Sequence, residues 1–320
     1  MDYHHEPILL SKVIEMLDPK PGGVYVDATL GGGGHFRELL KKSEYKGTFI
    51  GIDQDKTAIL NAKKNFAEYP GDIRFVHDSF KNLKQIMKEN NLDSIDGILF
   101  DLGVSSHQLD HGSRGFSYMQ DAPLDMRMDQ RKALNAKDVV NYFSKEELKK
   151  IIREYGEESW AGRIAEFICE ARQRQEIKTT GDLVQIIKNA IPARARRSGG
   201  HPARKTFQAL RIFVNDELNI LSSTINDAVE LLNPGGRICV LTFHSLEDRI
   251  IKGVFKLLAT DCICPKESII CVCEHEKVIK ILTSKPIYPT KEEIKNNPRS
   301  RSAKLRVAQR LPVLKSTRGE

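Results

Sequence analysis

The 320-residue sequence lacks any apolar run of the length that a membrane-spanning helix needs, which excludes a helical membrane protein. Residues 1–7 contain neither a basic stretch nor a following apolar segment, so we expect no secretion signal. Cysteine is scarce, with six in all, and Cys169 and Cys239 lie in apolar runs typical of buried thiols. We therefore expect a soluble cytoplasmic protein with reduced thiols, not a disulfide-stabilised secreted one.

The charge balance is only moderately uneven. The sequence has 50 Lys and Arg against 43 Asp and Glu, a net charge of +7. Such an excess suits a polyanionic partner, but it is equally compatible with an ordinary solvated surface. At this length we expect one large core with an added subdomain.

Apolar runs and helical patterns alternate through the first hundred residues, which predicts a parallel, doubly wound sheet. The sheet resumes after about 100 residues of loop and helix signals, where a long helical pattern over 207–232 ends at Asn-Pro-Gly-Gly. The predicted fold is therefore a Rossmann-like α/β sheet with an inserted helical domain, divided into 1–106, 107–205 and 206–320. The predicted strands are 24–30, 48–53, 73–76, 95–102 and 237–243. Within the insertion, helical patterns are predicted over 144–156, 159–173 and 180–190.

A glycine-rich segment follows the first predicted strand. Four glycines, Gly31 to Gly34, allow the backbone to turn sharply and to approach a ligand closely. Asp53 ends the second strand 19 positions after Gly34, the separation that brings a carboxylate to a ribose in Rossmann-like sheets. The alternative is a flexible loop beside a solvated aspartate.

The identity of the nucleotide ligand depends on the residues around this loop. Gly34 is followed by His35 and Phe36, not by the small residues of a dinucleotide motif. S-adenosylmethionine has no pyrophosphate to seat on a helix N-terminus, so it tolerates such a loop. After the third strand, Phe80 offers an aromatic face for an adenine, although it could equally belong to the core.

The fourth strand ends in Asp101, and an amide, Gln108, follows shortly after. Open sheets bind ligands at this edge. The exocyclic amine of cytosine or adenine is a poor nucleophile, so its methylation requires a group that takes a proton. Asp101 is the predicted acceptor; alternatively it anchors the ammonium of the methyl donor, and both roles can hold together.

Ten sequence blocks together resemble one family, that of the bacterial ribosomal RNA small-subunit methyltransferase H, also called MraW. They span nearly the whole chain. They are 5–7 (HEP), 27–35 (DATLGGGGH), 51–55 (GIDQD), 101–106 (DLGVSS), 114–117 (RGFS), 123–129 (PLDMRMD), 201–203 (HPA), 206–211 (TFQALR), 242–249 (TFHSLEDR) and 297–306 (NPRSRSAKLR). The sequence departs from the family at His107, where proline is expected, and at Phe36, where a small polar residue is usual.

The resemblance implies a class I S-adenosylmethionine-dependent methyltransferase fold and N4-methylation of a cytidine in the decoding region of 16S rRNA. The implied methyl donor is S-adenosylmethionine, and the implied partner is 16S rRNA or the small ribosomal subunit. The cofactor contacts that it implies are Gly33, Gly34, His35, Asp53, Phe80, Asp101 and Gln108.

Basic residues crowd the segment 193–205 and the carboxyl end. Such side chains position RNA through its phosphates, although a solvated charge run is the usual alternative. The guanidinium of Arg114 and the rings of Phe116 and Tyr118 are candidates for contact with a base turned out of its stack. The predicted phosphate contacts are Arg194, Arg196, Arg197, Arg204 and Lys205, with Arg299, Arg301, Lys304 and Arg306 as further candidates.

Four cysteines cluster at Cys262, Cys264, Cys271 and Cys273. They are compatible with a zinc site, with reduced thiols on a surface hairpin, or with a redox-labile pair. The Cys-x-Cys spacing is tighter than that of the usual structural zinc sites. Because the proposed chemistry needs no metal, we predict none.

Two other classes of function remain open from the sequence. The first is a methyltransferase of the same fold that acts on another RNA, a protein or a small molecule. The second is a non-catalytic rRNA-binding assembly factor. For the favoured enzyme we expect direct displacement without a covalent intermediate, since Cys239 lies inside an apolar strand and is poorly suited as a nucleophile.

Overall fold

The computed structural model describes residues 7–105, 108–109, 114–196, 200–265, 268, 270–273 and 275–312. The chain forms two compact units. The sheet unit comprises 1–103 and 218–320, and the insertion unit comprises 104–217. His107 and Arg197, which figured in the predictions, lie outside the described residues.

A seven-stranded sheet forms the centre of the sheet unit, in the order β3-β2-β1-β4-β5-β7-β6. The pairs among β1 to β5 are all parallel, whereas β7 runs antiparallel to both of its neighbours. The predicted Rossmann-like α/β sheet is confirmed. The strands are β1 (Gly23–Asp27), β2 (Gly47–Asp53), β3 (Asp72–His77), β4 (Ile95–Asp101), β5 (Leu232–Thr242), β6 (Ile279–Ile281) and β7 (Lys304–Arg310).

Helices flank this sheet and build the insertion unit. In the sheet unit they are α1 (Leu10–Leu17), α2 (Gly34–Lys42), α3 (Lys56–Asn65), α4 (Leu83–Glu89), α11 (Leu221–Leu231), α12 (Ser245–Leu258) and α13 (Lys291–Asn296), with 3₁₀ turns at Phe80–Asn82 and Pro298–Ser302. In the insertion unit they are α5 (Ala136–Tyr142), α6 (Lys145–Gly156), α7 (Ala161–Arg174), α8 (Thr180–Ala190), α9 (Ala193–Arg196) and α10 (Arg204–Asn215). Among the described residues, none of these helices combines the length and apolarity that crossing a bilayer requires.

The inner strands are buried because helices cover both faces of the sheet. Phe49 and Ile50 of β2 and Ile98 and Phe100 of β4 are all fully buried. Consecutive buried residues point to opposite faces, which explains the nearly continuous apolar runs in the sequence. Phe36, the departure from the family pattern, is also fully buried and packs edge-on against Phe66, with ring centroids 5.3 Å apart. It therefore serves the core.

The pattern over 207–232 forms two helices, not the single long one predicted. α10 ends at Asp216, which adopts a left-handed conformation with φ 57°. An aspartate accepts this conformation at modest cost, so the chain can break here without a glycine.

β5 begins earlier than predicted. Leu232 already pairs with Ile95, and the register then shifts between Ile95 and Gly97. The predicted turn at 233–236 is thus an irregularity inside the strand, where Asn233 Nδ2 donates to Asp96 Oδ1 at 2.8 Å.

The carboxyl-terminal strand β7 was not predicted, and it corrects the expected role of two basic residues. Arg306 donates through Nε to Asp248 Oδ1 at 2.7 Å, and Lys304 Nζ donates to Asp248 Oδ2 at 3.0 Å. Arg306 is only 8% exposed. Its charge neutralises a neighbouring carboxylate, so Arg306 and Lys304 are not the free phosphate contacts that were expected.

Helices of the insertion unit begin where the sequence provides caps. Ser144 accepts from the Glu147 backbone N–H, and the Glu147 side chain accepts in return from that of Ser144. Thr179 and Asp182 form the same reciprocal cap at α8. Such caps satisfy amide groups that the first turn leaves free, which is why these two helix starts were predicted within one residue.

α10 belongs to the insertion unit. Gly156 of α6 packs so closely on it that an added Cβ would lie 2.7 Å from the Lys205 carbonyl oxygen. Buried Asn215 accepts from Met128 N and donates to Met126 O, both at 2.8 Å. The unit therefore extends to residue 217, and the predicted boundary at 205/206 falls at the start of this packed helix.

Candidate functional site at the carboxyl ends of the strands

Polar residues stand at or just after the ends of five neighbouring strands. Since β1 to β5 are parallel, these ends lie along one edge of the sheet. In the strand register, Asp53 pairs with His77 and Asp101 pairs with Leu241, so the ends of these neighbouring strands lie level with one another. The residues in question are Asp27 of β1, Asp53 of β2, His77 of β3, Asp101 of β4 and Thr242 of β5.

The glycine loop is held to the sheet by the predicted ribose-binding residue. Gly31 N donates to Asp53 Oδ2 at 2.8 Å, and Asp55 N donates to Asp53 Oδ1 at 2.8 Å. Burial raises the pKa of Asp53 to about 6, an effect that these backbone hydrogen bonds oppose. Asp53 thus fixes the position of the glycine loop, the segment with which the sequence pattern paired it.

The glycines of this loop meet different surroundings. A Cβ at Gly34 would lie 2.2 Å from Pro7 Cγ, and one at Gly33, whose φ is +72°, would lie 2.8 Å from the Phe66 ring. Close packing within the chain therefore requires both of these glycines. A Cβ at Gly32 would meet no atom of the described residues within 4 Å, so these residues leave space at this position.

His35, at the start of α2, is 5% exposed. Its Nε2 lies 3.0 Å from the Ile8 carbonyl oxygen. Burial lowers its pKa to about 4, so the ring is neutral at physiological pH. A carbonyl can only accept, so Nε2 carries the proton and the lone pair of Nδ1 lies 3.6 Å from Asp101 Oδ2.

Asp101 has an unusual environment for a carboxylate. Its backbone N–H donates to Thr29 Oγ1 at 2.6 Å, which fixes the end of the strand. The side chain is 29% exposed, yet its Oδ1 is buried and has no hydrogen-bond partner among the residues that the structure describes. Burial, and then the nearby charges of Asp27 and Glu247, raise its pKa to about 8.

Asp27 extends this acidic cluster. It is 3% exposed, and its Oδ1 accepts from Thr29 N at 3.1 Å. Burial raises its pKa to about 7. Burial and neighbouring carboxylates raise the pKa of such carboxyl groups to near neutral pH. The groups therefore ionise readily when a positive charge arrives. This edge of the sheet is therefore suited to a cationic ligand and to proton transfer.

Phe80 lies in the 3₁₀ turn after β3 and is partly buried. Its ring contacts Phe100 edge-on, with centroids 5.6 Å apart and an interplanar angle of 88°. The ring is thus anchored to the core, and its partial exposure is compatible with the predicted adenine contact.

Gln108, the remaining predicted cofactor residue, belongs to the insertion unit and is 5% exposed. Its Oε1 accepts from Ser105 N at 3.1 Å, and its backbone N donates to Ser105 Oγ at 3.2 Å. These bonds shape the segment that follows β4, and contact with the cofactor remains a prediction.

The expected base-stacking group is corrected in part. Phe116 is only 6% exposed and packs in the core of the insertion unit, so it offers no free ring face. Arg114 Nη2 donates to Arg127 O at 2.7 Å and to Met128 O at 3.1 Å. Tyr118 is stacked on His201, with centroids 4.6 Å apart. All three side chains help to hold the insertion unit together.

The predicted phosphate contacts are more accessible. Arg194 and Arg196 of α9 and Arg204 at the start of α10 are exposed and form no ion pair with any other described residue. Lys205 is partly buried, and its Nζ donates to the Glu157 carbonyl oxygen at 2.8 Å. The exposed arginines are therefore the better candidates for a polyanion.

His244 and Glu247, which the sequence analysis noted only within a family block, stand after β5. Glu247 is 1% exposed and accepts from the backbone N–H groups of Phe243 and His244 at 2.7 and 3.2 Å. His244 Nε2 lies 3.1 Å from Glu247 Oε1. The available signal was the capping pattern His-x-x-Glu at a strand end, with histidine in place of serine or threonine.

The strand order with a reversed β7, together with a carboxylate site at the edge of the sheet, defines the Rossmann-like S-adenosylmethionine-dependent methyltransferases. The sequence pattern of the MraW methylase family matches residues 2–311. The chain belongs to the MraW methylase family.

Relatives agree with this assignment over nearly their whole length. A protein of Clostridioides difficile named ribosomal RNA small subunit methyltransferase H is 58% identical over 311 residues, which cover 97% of this chain and 100% of that protein. A protein of the same name from Halothermothrix orenii is 55% identical, covering 96% and 98%. The crystal structure of an rRNA methylase from Streptococcus thermophilus covers 95% of this chain and 94% of its own, at 10% identity and a TM-score of 0.43, a likeness too weak to identify a function.

Proposed function

We propose that this protein methylates the N4 amine of a cytidine in the decoding region of 16S rRNA, with S-adenosylmethionine as the methyl donor. Membership of the MraW methylase family across residues 2–311 is the observation that carries this proposal. The relatives named above, at 55% and 58% identity, are methyltransferases of the small-subunit rRNA by name.

The residues at the edge of the sheet suit the methyl donor. The donor supplies a methyl group activated by a positively charged sulfonium. The buried Oδ1 of Asp101, which no described residue pairs, is suited to a positive charge of this kind, including the donor's ammonium. We assign Asp53 to the ribose and Phe80 to the adenine, and the space that the described residues leave at Gly32 is compatible with a ligand at the glycine loop.

Asp101 is the group that we assign to proton transfer. An exocyclic amine gains a positive charge as it is methylated, and it must lose a proton to become the product. With its pKa at about 8, the Asp101 carboxyl is mostly protonated at neutral pH in the free protein. A nearby positive charge lowers that pKa, so the carboxylate forms when donor and acceptor are both bound.

A covalent intermediate on cysteine is disfavoured. Cys239, on β5, is fully buried, and burial raises the pKa of its thiol. We therefore propose direct attack of the amine on the methyl group, with the protein supplying orientation and the proton acceptor.

The rRNA partner is assigned to the insertion unit. Arg194, Arg196 and Arg204 present guanidinium groups that bind phosphates without reading the sequence. We propose 16S rRNA or the small ribosomal subunit as the partner, and the cytoplasm as the place of action.

Incubation of the pure protein with labelled S-adenosylmethionine and small ribosomal subunits lacking the modification tests this proposal. Nucleoside analysis should find the label in N4-methylcytidine, at an initial rate that falls about 10²- to 10⁴-fold after Asp101→Asn. Asp93→Asn is the matched control, since Asp93 is exposed and precedes the opposite end of β4. Label in protein or in another nucleoside would refute the assignment of the substrate.

A further inference from the structure

The four clustered cysteines lie in the loop between α12 and β6. Cys262 Sγ lies 3.4 Å from Cys271 Sγ and 3.7 Å from Cys273 Sγ, and Cys271 Sγ lies 3.6 Å from Cys273 Sγ. Cys264 Sγ is 4.0 Å from Cys271 Sγ. All four sulfurs lie within 4.8 Å of one another, so they surround a single point.

We propose that these four thiolates bind one structural zinc ion. Zinc bound to four sulfurs at about 2.3 Å has neighbouring sulfurs about 3.8 Å apart at the corners of a tetrahedron. Of the four separations given above, those of 3.4, 3.6 and 3.7 Å lie just below that value and the one of 4.0 Å lies just above it. Four thiolates are soft ligands that favour zinc, and the sulfurs lie too close together for a multi-iron cluster.

Backbone N–H groups also point at the sulfurs. Ile263 N donates to Cys273 Sγ, Cys264 N to Cys262 Sγ and Val272 N to Cys264 Sγ, each at 3.4 Å. Such bonds stabilise negatively charged sulfur and orient the ligands around a metal. A pair of disulfides does not fit this arrangement, because bonded sulfurs lie at about 2.05 Å and all four cysteines are free.

The described apolar side chains of this loop form no core that would otherwise gather the cysteines. Ile263, Ile270 and Val272 are 53%, 74% and 80% exposed. A segment that buries so little apolar surface needs a cross-link to hold one conformation. A metal with four protein ligands and no open position provides it, which indicates a structural role apart from methyl transfer.

This proposal departs from the prediction of no metal, which rested on the Cys-x-Cys spacing and on the chemistry. The tight spacing is accommodated in the second pair, because Cys271 Sγ and Cys273 Sγ lie 3.6 Å apart, close to the distance between two corners of the tetrahedron. Lys277 Nζ lies 3.4 Å from Asp261 Oδ1, an ion pair between residues that flank the cluster on either side.

Metal analysis of the full-length protein tests the proposal. The untagged chain is purified under reducing, oxygen-free conditions without an immobilised metal, and its metal content is measured by mass spectrometry. We expect about one zinc per chain. In the double variant Cys262→Ser, Cys271→Ser, the zinc content per chain should fall at least about ninefold. The control Cys169→Ser, in the insertion unit, should keep its zinc.

Cobalt exchange supplies a second measurement on the unaltered chain. Replacement of zinc by Co²⁺ should produce the sulfur-to-metal charge-transfer and ligand-field bands of a tetrahedral tetrathiolate. Cys273→His should retain the ion and shift these bands to shorter wavelength, even if the double variant fails to fold. Four titratable thiols without metal, two disulfides, or iron in place of zinc would each overturn the proposal.

Discussion

Replacement of Asp101 by asparagine should make the protein more stable and much less active. Asparagine keeps the shape of the side chain but carries no charge. The carboxyl pKa is raised from 3.8 to about 8, so folding opposes its ionisation. In the unfolded chain the same group ionises near its ordinary value, so folding at pH 7 requires the carboxylate to take up a proton.

The magnitude follows from the size of the shift. Each unit is worth about 1.4 kcal/mol, so the roughly three units between the ordinary pKa and pH 7 set an upper limit near 4 kcal/mol. Because the side chain is 29% exposed, water relieves part of this cost. We expect Asp101→Asn to raise the free energy of unfolding by about 1–3 kcal/mol at pH 7.

The pH dependence of the stability difference between Asp101→Asn and the wild type tests this explanation more stringently than its magnitude does. A raised carboxyl pKa means that the wild-type protein loses stability as the pH rises from about 4 to about 8, whereas the variant does not. The difference should therefore be near zero at pH 4, should grow up to pH 8, and should then level off. Denaturant unfolding of both proteins at several pH values measures it.

The rate of methyl transfer should fall in the same variant whose stability rises. Loss of the proton acceptor should reduce turnover about 10²- to 10⁴-fold. Asp93→Asn should change neither stability nor turnover. A variant of Asp101 that is less stable than wild type at every pH, or a difference that does not grow with pH, would refute the account of this site.

Three further outcomes are expected. Arg194→Ala with Arg196→Ala should weaken rRNA binding and leave donor affinity unchanged. The slope of log affinity against log salt concentration should become less steep by about two. Phe80→Ala should weaken binding of S-adenosylmethionine, measured by calorimetry, by about tenfold or less. Asp248→Asn should destabilise the fold by about 1–3 kcal/mol. Although burial opposes it, pairing with Arg306 and Lys304 lowers the pKa of Asp248, so its stabilisation holds above the ordinary pKa and is lost as the pH falls through the lowered one.

Controls separate these outcomes from general damage. Lys63→Ala with Lys64→Ala removes two exposed positive charges from α3 and should leave rRNA binding intact. Equal loss of affinity in both double variants would show that only net charge matters. Unchanged donor affinity after Phe80→Ala would exclude an adenine contact, and equal destabilisation by Asp248→Asn at all pH values would contradict the ion-pair explanation.

Elements of the fold were predictable where residues close in the sequence determine them. The strands of the first hundred residues follow apolar runs that lie between helices, and Thr180–Ala190 was predicted at its observed bounds because Thr179 caps it. β7 was missed because four of its seven residues are polar or charged, and the pairing of Arg306 with Asp248, far apart in the sequence, helps to make the run compatible with a buried strand.

The candidate site was predictable in its positions but not in its electrostatics. Asp53 and Asp101 were identified because both end strands, and that much depends on chain order alone. The raised pKa of Asp101 depends on Asp27 and on Glu247, which lies 146 positions further along the chain. No spacing rule reports such proximity. The four clustered cysteines, by contrast, are close in the sequence and were identified there, but their spacing alone did not show that all four sulfurs converge on one point.

The pairing of β4 with β5 has a consequence for how the chain folds. Leu99 lies beside Cys239, a partner 140 positions away, because the insertion separates two adjacent strands. At synthesis rates of about 5–20 residues per second, β4 waits roughly 7–30 s for its neighbour. During that interval its apolar edge is open to other chains, so we expect folding in the cell to depend on a chaperone until the second half of the sheet emerges.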